Sequence, residues 1–177
     1  MTTEAAIVKC RRKDYDEKPF FFLEPKGETP YAVCWLGLDP DRVRATAEAL
    51  LAEWPEKLEA HFEAPVHPEP HDNVFDLFGY VRKANVLGAF EEHPDVAFRD
   101  GGVRLRIWRK DNEDCIGLDE HGLIFYWSDP KHARAEFQAL GIEERKAPLI
   151  LDEEHWHSDP NDADAARSAF LKVLAIS

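Results

Sequence analysis

Residues 103–108 alternate apolar with mainly charged side chains at a period of two, which is the period of a β-strand and not of a helix. Val103, Leu105 and Ile107 take one side, while Arg104, Arg106 and Trp108 take the other. Asp111-Asn112-Glu113-Asp114 has turn chemistry, Cys115 to Leu118 returns, and Asp119-Glu120-His121-Gly122 turns the chain again. Leu123 to Trp127 completes a third strand. An antiparallel meander of this kind has two faces, and something else in the chain must cover the apolar one.

The N-terminal part offers more sheet. Residues 5–10 read as a short strand. Pro19 to Leu23 and Pro30 to Leu38 flank the turn segment Glu24-Pro25-Lys26-Gly27-Glu28, which predicts a hairpin. Three adjacent phenylalanines, Phe20 to Phe22, cannot all face one side of a pleated strand, so at least one must meet a second layer or stay exposed.

Helices are announced by Asp-Pro pairs. Asp caps free N–H groups, and Pro at the first helical position loses a donor that has no partner there anyway. After Asp39-Pro40 the stripe Val43, Ala47, Leu50, Leu51, Trp54, Leu58, Phe62 recurs at helical spacing, with a kink or restart expected at Pro55. Residues 64–73 read as a Pro-rich linker, and Val74 to Glu92 as a second helical region weakened by Gly79 and Gly88. Asp129-Pro130 starts a helix with Ala133, Phe137 and Leu140 on one face, stopped by Gly141. A short strand is expected at 147–151. Asp159-Pro160 starts the last helix, with Ala163, Ala166, Phe170 and Leu174 aligned. Strands grouped before helices, without βαβ alternation, predict an α+β fold: a mainly antiparallel sheet, made of the N-terminal hairpin and the 103–127 meander, with helices packed on one face. At 177 residues the chain is expected to form a single domain, 1–177.

Charge narrows the function classes. Asp plus Glu number 35 against 22 Lys plus Arg, a net −13. That field opposes nucleic-acid phosphates and anionic membranes and favours association with a basic protein. Arg104, Arg106 and Lys110 share a strand face with Trp108, but internal pairing with neighbouring acids is the expectation for them. The three cysteines, Cys10, Cys34 and Cys115, form no Cys-x-x-Cys pair, and no secretory leader or membrane span is read, so a reducing cytoplasm is expected. No Gly-rich phosphate loop, nucleophile elbow or zinc motif occurs, and no cofactor is expected.

The most concentrated polar constellation is Asp152, Glu153, Glu154, His155, Trp156, His157 and Asp159. Its acids surround an Asp-Pro cap, and Trp156 is suited to anchoring an interface. These seven residues are the expected partner-binding segment of a non-enzymatic acidic domain, in concrete form an immunity-type protein that neutralises a basic toxin. Two alternatives stand beside it. One is a metal-dependent hydrolase using His155, His157 and Asp152 or Asp159; the other is a small-ligand domain with a pocket between sheet and helix. His61, His67 and His71 bracket the Pro-rich stretch and read as a solvated linker.

Overall fold

The computed structural model describes residues 10–11, 18–24, 31–37, 39–65, 74–146, 156–157 and 163–176. The elements in chain order are β1 (Cys10–Arg11), β2 (Phe20–Glu24), β3 (Tyr31–Trp35), α1 (Pro40–Leu51), β4 (Lys57–Pro65) and β5 (Val74–Arg82). There follow α2 (Lys83–Glu92), α3 (Pro94–Phe98), β6 (Arg104–Arg109), β7 (Cys115–Leu118), β8 (Ile124–Trp127), α4 (Pro130–Ala139), β9 (Glu143–Glu144), β10 (Trp156–His157) and α5 (Ala163–Leu174). Eight strands make one sheet in the order β5-β4-β6-β7-β8-β3-β2-β9, antiparallel except for the β2–β9 pair. The protein is therefore α+β, with the hairpin and the meander where the sequence puts them.

The five helices among the described residues pack on one face of this sheet. Phe21, Ala32 and Cys34, the even-numbered residues Leu58 to Ala64, and Leu105, Ile107, Ile116, Leu118, Ile124 and Tyr126 point into a core shared with the helices. Helix side chains answering them include Leu50 and Leu51 of α1, Phe90 of α2, Phe98 of α3, Phe137 of α4 and Phe170 of α5. Burying each such side chain is worth about 1.5–3 kcal/mol. Asp39 and Asp129 cap α1 and α4 as expected, each carboxylate accepting two backbone N–H bonds, from Asp41 and Arg42 and from Lys131 and His132 respectively. The third pair, Asp159-Pro160, lies outside the described residues.

Two helix expectations are corrected. The helix begun at Asp39-Pro40 ends at Leu51, and residues 57–65 form β4. Pro55 breaks the helix, and beyond it Leu58, Ala60, Phe62 and Ala64 are buried in strict alternation with the more exposed odd-numbered positions. Residues 74–82 are β5, and only 83–92 are helical. Ala64 and Pro65, expected to begin a linker, instead end β4, which pairs with β5 from Pro65 opposite Val74 to Lys57 opposite Arg82; residues 66–73 lie outside the described residues. The expected strands at 5–10 and 147–151 fall outside the described residues, apart from Cys10. Near the second of them β9 lies at 143–144.

The triple phenylalanine divides between the layers. Phe21 stacks on Phe137 in the helix-side core at 5.0 Å between ring centroids. Phe20 and Phe22 face the other way and form a second buried cluster with Val33, Trp35 and Leu123.

Candidate functional site

The face of the sheet opposite the described helices carries the candidate site. Antiparallel register sorts its outward side chains into rows that run across the strands, because directly opposite residues share a face. At one end Arg82 lies opposite Lys57, and the β4–β6 register extended by one residue brings Lys110 beside it. The next row is Tyr80, Glu59, Trp108, Cys115, Trp127 and Tyr31 across six strands. Then come Phe78, His61, Arg106, Gly117, Phe125 and Val33, and finally Asp76, Glu63 and Arg104.

Aromatic groups dominate the middle rows. His61 contacts both Phe78 and Trp108, with centroids 6.2 and 6.4 Å away, and Phe78 meets Trp108 edge-on at 6.0 Å. Farther along, Tyr31, Phe125 and Trp127 pack mutually at 5.5–5.9 Å. Gly117 makes that second group possible: a Cβ there would stand 3.0 Å from the Trp127 ring. Toward β2 the face is closed, with Trp35 and Phe20 buried. Toward β5 it is open, and Phe78 and Tyr80 are 60% and 54% exposed. Exposed aromatics set side by side on a rigid sheet are costly to leave in water and are enriched at binding surfaces.

The charges on this face are largely paired within it, as the sequence suggests for the 104–110 cations. Arg104 donates a two-pronged bond to Glu120, Arg106 lies 3.5 Å from Glu63, and Lys110 lies 3.7 Å from Glu59. Lys110 also donates to the Tyr80 hydroxyl at 2.9 Å and sits 4.7 Å above its ring centre. A groove of about 420 Å³ runs between Tyr31, Phe125, Trp127, Arg104 and Arg106, with the 119–121 turn at its rim.

Burial alone would raise the Glu120 carboxyl, but the Arg104 fork, a backbone N–H and the nearby cations outweigh it and hold it at about 2. For His121, burial lowers the imidazole, and the bond and charge of Asp119 together with the charge of Glu120 reverse the sign and raise it above its ordinary 6.5. The two groups therefore titrate with opposite consequences. A depressed carboxyl contributes stability that is present above its ordinary 4.5 and is lost as pH falls toward about 2. A raised imidazole contributes stability present below 6.5 and lost as pH rises through its folded value. Urea unfolding against pH is expected to show both declines. Glu120→Gln should flatten the acid one, and His121→Gln should flatten the other.

Potential metal ligands gather at two places among the described residues, His61 with Glu63 and Asp76, and Asp119 with Glu120 and His121. Each gathering is accounted for by bonds already made. His61 Nε2 is bonded to Asp76, and Glu63 faces Arg106. Asp119 Oδ1 accepts the N–H groups of His121 and Leu123 at 3.0 and 2.7 Å, and its Oδ2 meets His121 Nδ1 at 2.8 Å, which is a turn built by its own side chain.

Of the sequence-expected contact segment, Trp156 and His157 form β10, paired antiparallel with Arg11 and Cys10. Asp152, Glu153, Glu154, His155 and Asp159 lie outside the described residues, as do His67 and His71. The structure brings His61 to the open face, where the sequence alone places it at the edge of a linker. The β4 and β5 contributions, including Phe78 and Tyr80, are absent from the sequence-based site because both segments read as helical. Buried Cys34 and Cys115 are free thiols, with Cys115 pushed up to about 12 by burial. No helix among the described residues is long and apolar enough to cross a membrane. No protein-family model, no curated protein and no solved structure matches this chain.

Proposed function

We propose that the protein is a non-enzymatic binding module that holds a basic protein partner against the open face of its sheet, in the manner of an immunity protein covering a toxin in the cytoplasm. The observation that carries this reading is the pair of exposed aromatics, Phe78 and Tyr80, backed by Trp108 and His61 on a rigid antiparallel sheet. Large aromatics of this kind supply most of the binding energy at interfaces, while the charged rim contributes orientation and rate. The net −13 steers a basic partner, and Asp76, 61% exposed beside Phe78, is placed to receive one of its cations. The acidic stretch 152–159 adds to the same field. Buried free thiols at Cys34 and Cys115 support a reducing compartment.

The test is partner capture at low salt, identification of the partner, and titration of the purified pair. Phe78→Ala with Tyr80→Ala is expected to weaken the complex by about a hundredfold or more, two interface anchors being removed. Raising salt should slow association. Because both side chains are exposed, the unfolding midpoint should barely move. A complex indifferent to ionic strength, or one unchanged in the double variant, would overturn the proposal.

A further inference from the structure

The row at the end of the open face has a charge pattern that folding itself does not favour. Arg82 and Lys57 are directly opposite one another on β5 and β4, and Lys110 follows on the far side of Lys57. Like charges placed directly across antiparallel strands destabilise the pair. Among the described residues no carboxylate lies within 4 Å of Lys57 or Arg82, whereas Arg104, Arg106 and Arg109 on the same sheet all have one. The contrast is sharp in a chain that carries 35 acids against 22 Lys and Arg.

These cations line a pocket of about 630 Å³, with Leu58, Tyr80, Val81, Asn85 and Ala175 as its other walls. That volume is in the range of small-molecule sites. The pocket stands at the start of α2, a helix of 10 residues whose N-cap, Arg82, makes no side-chain cap and whose first turn carries no acid. Glu56 already meets that end of the helix, so the positive charge of the pocket comes from its side chains. That acid and Glu59 both have partners. Glu56 Oε1 accepts the Ala84 N–H at 3.4 Å, and Glu59 lies 3.7 Å from Lys110. Lys110, 66% exposed, donates to the Tyr80 hydroxyl and stands over that ring at the edge of the pocket.

We propose that this pocket binds a phosphorylated small molecule, its phosphate or diphosphate group bridging Arg82 and Lys57, with Lys110 completing the charge match. Adjacent strands stand about 4.8 Å apart, so the row spans roughly 10 Å, a better match to a diphosphate than to a single phosphate. Arg supplies a planar fork for phosphate oxygens and Lys a point charge. Tyr80 is shared with the proposed partner surface, but the charges and the pocket carry this reading without any protein partner.

Calorimetric titration of the purified protein with inorganic phosphate and with pyrophosphate, in a phosphate-free buffer, tests it. Pyrophosphate is expected to bind saturably and more tightly than phosphate. Lys57→Gln and Arg82→Gln should each weaken it by about tenfold, the loss of one charge-assisted bond, and Lys131→Gln on α4 should leave it unchanged. A second readout separates a binding role from a structural one. Without any anion, Arg82→Gln should raise the unfolding temperature by relieving repulsion, and pyrophosphate should no longer raise it further. The proposal is overturned by the absence of saturable binding in the millimolar range. It is equally overturned if sodium chloride of matched ionic strength reproduces the effect, or if Arg82→Gln destabilises the anion-free protein.

Discussion

Replacing Arg167 by alanine is expected to lower the unfolding free energy by about 3–5 kcal/mol, because it strands a buried carboxylate. Arg167 on α5 and Asp100 in the turn before β6 are 5% and 1% exposed, and they meet as a fork: Nε donates to Oδ2 at 2.7 Å and Nη2 to Oδ1 at 2.8 Å. Asp100 has a second task. Its Oδ1 accepts the Gly102 N–H at 2.9 Å, and its carbonyl accepts the Val103 N–H at 3.3 Å, so the same residue shapes the turn that launches β6. Asp164 stands 3.6 Å from the guanidinium but is 60% exposed and cannot replace the buried partner.

The paired variant Asp100→Asn with Arg167→Met distinguishes a cost of broken pairing from a cost of lost packing. Asn keeps an acceptor for Gly102, and Met fills part of the space without a charge. It is expected to be less destabilised than Arg167→Ala alone, since no uncompensated charge remains. Urea unfolding with an unchanged denaturant slope is the measurement. A loss below about 1 kcal/mol for Arg167→Ala would show that water reaches the carboxylate and that the pair is not insulated.

How much of this was legible in the sequence depends on which residues one asks about. The 103–127 strands were legible because Val103, Leu105 and Ile107 alternate with Arg104, Arg106 and Trp108, and because turn residues at 111–114 and 119–122 bound the apolar runs that follow. The caps Asp39 and Asp129 were legible because capping is local chemistry. Residues 57–64 were misread because Leu58 and Phe62 are four apart, a spacing that fits a helix and also a strand. Only Ala60 and Ala64 between the charged positions decide for period two, and alanine carries little weight in a hydrophobic stripe. In β5 the alternation is hidden by Phe78 and Tyr80, apolar rings that face outward. The open face itself was beyond local reading. Lys57 meets Arg82, and His61 meets both Phe78 and Arg106, only through strand register, which is settled by long-range pairing. The 152–159 cluster drew attention by composition, yet composition is silent about what register assembles elsewhere.

The register of β4 can be tested from inside the core. Phe170→Ala is expected to cost about 3–5 kcal/mol, the range for removing a buried phenylalanine and leaving a cavity. Its ring is fully buried and lies 5.6 Å from that of Phe62, also fully buried, so α5 rests on β4 through this pair. Phe62→Ala should cost a similar amount. The double variant should cost clearly less than the sum, because the two deletions share one cavity. Residues 62 and 170 are far apart in sequence, and coupling between them requires Phe62 to point at the helices, which puts His61 and Glu63 on the opposite face with Phe78 and Asp76. Additive losses would mean that Phe62 points elsewhere, and the rows on the open face would then have to be redrawn. Coupled losses would tie the helix layer and the candidate site to one register.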